Sequence, residues 1–213
     1  MMETKPRILV ADDERNIRKT LAMVLEAAGY VVDEAKDGEE ALDLCKQTHP
    51  DIAFVDIHMP KLEGLKVLAH IRALSPKTAV VIVTAYGSAA NAVEAMKLGA
   101  VDFLEKPFDP KIIGLLSEEI LIRQRTEPKA SFDDLMHLAD LARERHAPIE
   151  ARGYLKSAMI RAPDRPEPYY WLGYLCENEG DQKGAIQYYY MAVSAYHTYE
   201  PAVEALKRLG KLH

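Results

Sequence analysis

Short apolar runs alternate with amphipathic stretches along residues 7–123. Five runs have the length of buried strands, and the stretch after each run carries apolar residues at helical spacing. Strands that alternate with helices predict a parallel sheet with helices on both faces, which is an α/β fold. The predicted strands are the runs at 8–11, 31–32, 52–55, 79–83 and 101–104.

A different pattern begins at residue 132, beyond which every apolar stretch has helical spacing. The residues Ser131 to Asp134 predict a capping box at the start of this all-helical part. A shift of 34 residues places large apolar residues on large ones and small residues on small ones, as in helical repeats. The aligned pairs are Leu135 with Tyr169, Leu138 with Leu172, Ala139 with Gly173, Ala142 with Cys176, Ala151 with Ala185, Leu155 with Tyr189 and Ala158 with Ala192, and a further step places Leu206 on Leu172.

A polar segment, residues 124–131, lies between the two patterns. Aromatic usage changes beyond it, because nine of the eleven Tyr and the single Trp lie after residue 150. We therefore predict two domains, at 5–123 and 132–211, joined at 124–131 by a short linker or a helix-to-helix joint.

Composition and charge exclude several classes of function. The chain has 213 residues, of which 48% are apolar and 28% charged, as in ordinary globular proteins. Its formal net charge of −6 argues against nucleic acid or an anionic membrane surface as a partner. No apolar run reaches membrane-spanning length, and too few residues precede the first strand for a signal peptide. Cys45 and Cys176 lack metal-type spacing, so we predict reduced thiols and a cytoplasmic protein.

Reactive side chains follow four of the five predicted strands. Asp12 and Asp13 follow the first strand, Asp56 the third, Thr84 the fourth and Lys106 the fifth. The carboxyl ends of parallel strands emerge at one edge of the sheet, where ligands bind in such folds. Each residue alone has an ordinary structural explanation, as a helix cap, a turn former, a strand former or a solvated charge. Together they favour an acidic pocket that binds Mg²⁺, in which Asp56 acts as a nucleophile toward phosphorus.

These residues lie in four segments, ILVADDE at 8–14, DIAFVDIHMPKLEG at 51–64, VIVTAYGS at 81–88 and GAVDFLEKPF at 99–108. On these motifs the first half of the chain closely resembles the receiver domain of two-component response regulators. The resemblance implies a doubly wound, flavodoxin-like sheet of order 2-1-3-4-5, an order that periodicity alone does not define. It also implies that Asp56 accepts a phosphoryl group from a sensor histidine kinase or a phosphotransfer protein.

Roles for the other site residues are implied by the same resemblance. Asp13, Asp56 and the backbone carbonyl of His58 would bind Mg²⁺ directly, and Asp12 would act on it through water. Lys106 would form a salt bridge with the phosphoryl group.

The resemblance further implies a conformational switch. Thr84 would move toward the phosphate and Phe103 would turn inward, which would remodel the face formed by the fourth helix, fifth strand and fifth helix. A cis peptide bond would precede Pro107. His58 and Tyr86 occupy positions that tune hydrolysis of the phosphoryl group, and their bulk predicts a long-lived phosphorylated state. The alternative is that both are simply exposed residues at the rim of the pocket.

The all-helical part resembles the tetratricopeptide repeat, most clearly in YYWLGYLCENEGDQKGAIQYYYMA at 169–192. We assign repeats at 132–165 and 166–199 and a closing helix at 200–211; the alternative is a helical bundle of another kind. Such repeats bind protein partners instead of catalysing reactions. The groove formed by the first helix of each repeat would be lined by Met136, His137, Asp140, Tyr170, Trp171, Tyr174 and Asn178.

The fifth helix of the receiver part is apolar on more than one face. We expect it to pack against the repeats or against a second copy of the chain, which would form a homodimer.

These expectations define a phosphorylation-controlled switch of protein–protein interactions, with no enzymatic activity beyond phosphoryl transfer to Asp56 and its loss. Two alternatives stay open. One is an adaptor whose receiver face binds partners regardless of phosphorylation. The other is a Mg²⁺-dependent hydrolase with Asp56 as covalent nucleophile, although such enzymes need an acid where this chain has His58.

Overall fold

The computed structural model describes residues 5–85, 88–126 and 129–212. Within these ranges five strands and five helices alternate, and five further helices follow. The strands are β1 (Arg7–Ala11), β2 (Val31–Ala35), β3 (Ile52–Val55), β4 (Ala79–Thr84) and β5 (Asp102–Glu105). The helices are α1 (Arg15–Ala27), α2 (Gly38–Thr48), α3 (Gly64–Leu74), α4 (Ala89–Lys97), α5 (Lys111–Thr126), α6 (Phe132–Glu144), α7 (Pro148–Arg161), α8 (Glu167–Asn178), α9 (Gln182–Ala195) and α10 (Glu200–Arg208).

The five strands form one sheet in the order β2-β1-β3-β4-β5, as predicted. Every neighbouring pair is parallel. The central strands β3 and β4 are buried along their whole length, as expected for a parallel sheet covered on both faces. The prediction of a doubly wound α/β fold is confirmed.

The second strand is longer than its apolar residues predicted. β2 continues through Asp33 and Glu34 to Ala35, paired in register with β1. Salt bridges hold both acids, because Arg7 Nη1 lies 2.9 Å from Asp33 Oδ1 and Lys19 Nζ lies 2.7 Å from Glu34 Oε1. The end of β2 is therefore defined by pairing with its neighbour, which a run of apolar residues does not show.

Helix α5 overlaps the predicted linker, because it extends to Thr126 instead of ending near residue 123. No proline stands between Pro110 and Pro128 in the sequence, so no residue of the kind that stops a helix lies at 123. The chain divides into two compact units, residues 1–120 and 121–213, and the division falls inside this helix.

In the part of the second unit that the structure describes, α6 to α10 follow the end of α5. Turns of three residues join α6 to α7 and α8 to α9. The predicted capping box is present at α6, where Asp134 N–H donates to Ser131 Oγ at 3.1 Å and Ser131 N–H donates to Asp134 Oδ2 at 2.8 Å. None of the described helices is long and apolar enough to span a membrane.

The positions aligned by the repeat are core positions. Every residue of the aligned pairs is buried, from Leu135 and Tyr169 at the start to Ala158 and Ala192 at the end. The first residues of α7 and α9 also lie one repeat of 34 residues apart. Helix pairs with recurring buried positions support the assignment to tetratricopeptide repeats, which stays a prediction.

Candidate functional site

Three charged side chains meet at the carboxyl edge of the sheet. The Asp56 N–H donates to the Ala11 carbonyl at 2.9 Å, which brings the end of β3 beside the end of β1. The Lys106 N–H donates to the Thr84 carbonyl at 2.8 Å, beside the end of β4. The Lys106 ammonium then lies 2.6 Å from Asp12 Oδ2 and 3.1 Å from Asp56 Oδ1. One cation therefore bridges two carboxylates that come from different strands.

Burial controls the charge balance of this cluster. The side chains of Asp12, Asp56 and Lys106 are 2%, 6% and 9% exposed. Burial raises the pKa of Asp56 and outweighs the opposing effect of Lys106, while the nearby Asp12 raises the pKa further. Burial opposes the charge on Lys106, yet its bonds to Asp12 and Asp56 raise its pKa on balance. The pocket therefore holds more negative charge than one ammonium balances.

The donor set of the site fits Mg²⁺. Asp13 is exposed directly after Asp12, and the His58 N–H donates to Asp56 Oδ2 at 2.7 Å, so the chain turns back over the carboxylate. Among the described residues, no three His, Cys, Asp or Glu side chains are grouped to hold a metal by themselves. Mg²⁺ needs no such group, because it binds one or two carboxylates together with other oxygen ligands and waters. The excess negative charge of the pocket also favours a bound cation.

Two close approaches shape the loop between β3 and α3. A Cβ added to Gly64 would lie 2.0 Å from the Asp56 carbonyl oxygen, and one added to Gly38 would lie 2.2 Å from the Leu62 carbonyl oxygen. Only glycine leaves room for such backbone contacts. The Gly64 N–H also donates to the Ile57 carbonyl at 2.8 Å. The loop is thereby held against the end of β3 and the start of α2.

An ion pair that sequence reasoning missed also holds this loop. Lys61 has a φ of 65°, in the left-handed region that is unfavourable for a residue with a side chain. Its ammonium lies 2.7 Å from Oδ2 of buried Asp37, which caps α2 by accepting from the Glu40 N–H at 2.9 Å. The Glu40 N–H and then Lys61 lower the pKa of Asp37. A single basic residue in a turn was too weak a signal to predict this pairing.

The predicted switch residues lie on neighbouring strands. Thr84 ends β4 and is fully buried, and Phe103 of β5 is half-buried against the core of the first unit. The peptide bond before Pro107 is cis. The side chain of His58 is exposed, and Tyr86 lies outside the described residues.

A small apolar cavity of about 290 Å³ adjoins the site, between α1 and the segment that follows β5. Sequence reasoning did not single out this cavity, because its walls come from separate parts of the chain. It is lined by Asn16, Ile17, Thr20, Leu21, Lys106, Pro107, Phe108 and Pro110.

Three of the groove residues predicted in the helical unit form one cluster. Trp171 and Tyr174 meet edge to face with ring centroids 5.5 Å apart. The Arg143 guanidinium lies over the Trp171 ring, 3.4 Å from its centroid, and pairs with Asp140. A cavity of about 510 Å³ lies nearby, lined by Arg143, Glu144, His146, Ala147, Pro148, Tyr174, Leu175, Asn178 and Glu179.

The other predicted groove residues differ in exposure. Tyr170 packs into the aromatic core, 5.7 Å from the Tyr189 ring centroid, and Met136 is half-buried against the core. His137 and Asn178 are exposed. The lining of a groove by these seven residues stays a prediction.

Fold and site together define a class of protein. Its members have a doubly wound α/β domain with an acidic pocket and a lysine at the carboxyl edge of the sheet. Known proteins with similar sequences belong to the same class. The chain is 42% identical over 131 residues to the probable transcriptional regulator ycf27 of Guillardia theta, covering 62% of this chain and 50% of that protein. It is 36% identical over 136 residues to the response regulator MprA of Mycobacterium bovis, covering 63% of this chain and 58% of the relative.

A solved structure matches the first part of the chain. It is the CheY-like response regulator receiver domain protein of Methanospirillum hungatei, with 31% identity and a TM-score of 0.57, covering 58% of this chain and 99% of that one. The family profile described as the response regulator receiver domain matches residues 8–115. The chain therefore belongs to the response regulator receiver domain family. It spans about half the length of the curated relatives named above.

Proposed function

We propose that this protein is a phosphorylation-controlled switch of a two-component system, in which Asp56 accepts a phosphoryl group. The observation that carries the proposal is the Lys106 ammonium between Asp12 and Asp56 at the carboxyl edge of a receiver sheet. The donor is a phosphohistidine of a sensor histidine kinase or a phosphotransfer protein, which the receiver family implies.

Phosphoryl transfer needs an ionised carboxylate and a positive charge close to the phosphoryl oxygens. An oxygen of Asp56 forms the bond to phosphorus while the bond between phosphorus and the donor nitrogen breaks. The His58 N–H and Lys106 hold the carboxylate in place by hydrogen bonds. As negative charge builds on the phosphoryl oxygens, Lys106 stabilises it from its place at the pocket floor.

Asp13, Asp56 and the His58 carbonyl are the proposed ligands of Mg²⁺, with Asp12 acting through water. When bound, Mg²⁺ supplies a second positive charge beside the transferring group. The excess of carboxylate charge around Asp56 supports this ligand set.

The proposed output is a change in protein–protein interactions. Thr84 hydrogen-bonds the phosphoryl group and Phe103 repacks, which changes the face formed by α4, β5 and α5. The tetratricopeptide-like helices bind a protein partner, with Trp171 and Tyr174 as anchors because they combine large apolar area with few rotamers. The net charge of −6 supports a protein partner instead of nucleic acid, and a cytoplasmic location fits the reduced cysteines.

Two other functions remain as alternatives. The adaptor binds partners whether or not Asp56 is phosphorylated. The Mg²⁺-dependent hydrolase would turn over phosphoesters through Asp56, but His58 stands where such enzymes carry an acid.

Intact-mass measurement separates the three functions. The whole protein is incubated with Mg²⁺ and acetyl phosphate, with Asp56→Asn as the test variant and Asp43→Asn, a carboxylate with 68% exposure, as the matched control. We expect a phosphoryl adduct in the wild type and in Asp43→Asn, none in Asp56→Asn, and none when Mg²⁺ is chelated. The absence of both an adduct and phosphate release indicates the adaptor, and steady release of phosphate without an adduct indicates the hydrolase.

A further inference from the structure

Arg18 of α1 holds the backbone of the acid pair that follows β1. Its side chain is only 13% exposed. Its Nη1 donates to the Asp12 carbonyl at 2.6 Å and makes a longer contact of 3.5 Å with the Asp13 carbonyl. Its Nε lies 3.4 Å from Oε2 of Glu34 in β2. The guanidinium therefore connects the turn after β1 to the neighbouring strand.

The turn after β1 lies just beyond the ladder of the sheet. The last register pair of β1 and β2 joins Ala11 to Ala35, and the Asp12 N–H still donates to the Ala35 carbonyl at 3.1 Å. The Asp12 carbonyl belongs to the peptide that begins the turn, and it accepts a hydrogen bond from Arg18 Nη1. A buried carbonyl that loses its donor costs about 1–3 kcal/mol, so the turn would rearrange if Arg18 were removed.

Both side-chain oxygens of Asp12 make contacts in the site, so the position of its backbone is important. Its Oδ2 holds the Lys106 ammonium at 2.6 Å, and its Oδ1 accepts from the Glu14 N–H at 2.9 Å. Asp13, the next residue, is the proposed direct ligand of Mg²⁺. A rotation of the peptide between Asp12 and Asp13 would move both carboxylates relative to Asp56.

We propose that Arg18 is a positioning residue for the phosphorylation site: it fixes the peptide that carries both acids, and Glu34 orients its guanidinium. The inference rests on the proposed function, because it concerns the Mg²⁺ site at Asp56. Arg18 is not one of the proposed ligands of the metal or of the phosphoryl group.

Charge and position make opposite predictions for Arg18. If Arg18 acted only through its positive charge, its removal would leave the acid pocket more negative and would strengthen Mg²⁺ binding. If Arg18 positions the acid pair, its removal weakens Mg²⁺ binding despite the more negative pocket. Residues that orient metal ligands typically contribute about 10–100-fold to metal affinity.

Two substitutions test the positioning role in the whole protein. Arg18→Met removes the donor and the charge, and we expect Mg²⁺ affinity in isothermal titration calorimetry to fall by about tenfold. Arg18→Lys keeps the charge and its pairing with Glu34, but its nitrogen ends one bond short of the Nη position. We therefore expect an intermediate loss of about threefold, because a lysine is not equivalent to an arginine at such a two-partner site.

Phosphorylation kinetics with acetyl phosphate give a second readout. We expect the Mg²⁺ concentration for half-maximal rate to rise with the dissociation constant, while the rate at saturating Mg²⁺ stays within about threefold of wild type. Lys19→Met is the matched control, because Lys19 contacts the same Glu34 at 2.7 Å and is 57% exposed. Loss of this exposed pair should change Mg²⁺ affinity by less than about twofold.

The outcomes are distinct. Mg²⁺ binding by Arg18→Lys at wild-type strength, or tighter binding by Arg18→Met, overturns the positioning role. If Arg18→Met does not fold, the comparison of Arg18→Lys with Lys19→Met decides alone. A wild-type protein that neither binds Mg²⁺ nor forms the Asp56 adduct refutes the proposed function itself, whatever the Arg18 variants do.

Discussion

Asp56 carries its charge at a cost to the folded state. Burial raises its pKa above the ordinary value of 3.8, with Asp12 adding to the effect of burial. A carboxylate whose folded pKa is raised destabilises the protein once it is ionised in both states, and this penalty grows as pH rises through the unfolded and then the folded pKa. The penalty is present in full above the folded pKa and absent well below the unfolded one.

Asp56→Asn should therefore stabilise the protein while removing phosphorylation. Lys106 keeps its contact with Asp12 in this variant, so only the excess negative charge is lost. We expect a gain of about 1 kcal/mol at pH 7, a usual size for relieving a functional site. The gain should shrink as pH falls and vanish well below the ordinary pKa of 3.8, where Asp56 is protonated in both states. Urea unfolding across pH measures it, with Asp43→Asn as the surface control; a variant less stable than wild type at pH 7 would contradict the argument.

At the level of single residues, the sequence predicted the reactive side chains better than the contacts that support them. Asp12, Asp56 and Lys106 were predicted because acids and a lysine at strand ends are unusual together, and the structure brings them into contact. Arg18 and Lys61 were missed. Each makes a contact that spacing along the chain does not show, Arg18 with Glu34 and Lys61 with Asp37. A lone basic residue on a helix or in a turn also has many ordinary explanations.

At the level of elements, the glycine at the start of α3 determines how closely this helix approaches the end of β3. The open space around Gly114 in α5 contrasts with the crowding at Gly64, where α3 starts beside the end of β3. The neighbours of Gly64 are backbone atoms, including the Ile57 Cα at 2.8 Å from an added Cβ. Backbone cannot move aside as a flexible side chain can.

Gly64→Ala should destabilise the protein by about 3 kcal/mol, the upper part of the range for overpacking. It should also slow phosphorylation, because the clash falls on the Asp56 carbonyl. Gly114→Ala is the matched control, with an expected gain of about 0.5–1 kcal/mol from helix propensity. Urea unfolding compares the two variants, and equal stabilities would show that the close approach at Gly64 is relaxed in solution.

Element types were predictable because apolar spacing differs between strands and helices. Element ends were less so. β2 continues through two acids because β1 pairs with it and basic residues balance the charges. α5 passes the predicted boundary because no proline or glycine stops it there. The end of β2 depends on pairing with another strand, and the end of α5 depends on residues beyond its apolar pattern. The apolar spacing of a single segment shows neither.

At the level of the molecule, a polar network within the helical unit joins α10 to α8. Arg208 of α10 reaches both carboxylate oxygens of Glu177 in α8, at 2.5 and 3.0 Å, and the Tyr189 hydroxyl donates to Glu177 at 2.8 Å. Arg208 lowers the pKa of Glu177. A lowered carboxylate pKa contributes stability above the ordinary value of 4.5, and that stability is lost as pH falls through the folded pKa.

Arg208→Met should lower the stability of the helical unit by no more than about 1 kcal/mol at pH 7, since Arg208 is 60% exposed. The difference from wild type should disappear well below pH 4.5, where Glu177 is protonated. Asp56 phosphorylation should be unchanged, because all of its residues lie within 1–120. Thermal unfolding followed by circular dichroism, with Lys207→Met as control, tests this; equal losses in both variants would exclude the network as the cause.

The recurrence of buried positions every 34 residues also bears on how this chain can change over generations. Leu172 of α8 and Leu206 of α10 lie 34 residues apart at equivalent positions, and both are fully buried. A duplicated helix pair inserted between α7 and α8 would meet surfaces of the kind it already matches on either side. On the predicted repeat assignment, we expect that the helical part can lengthen or shorten by whole helix pairs. The sheet cannot, because each of its strands has different neighbours and an added copy would disturb the register that places Asp56 beside Lys106.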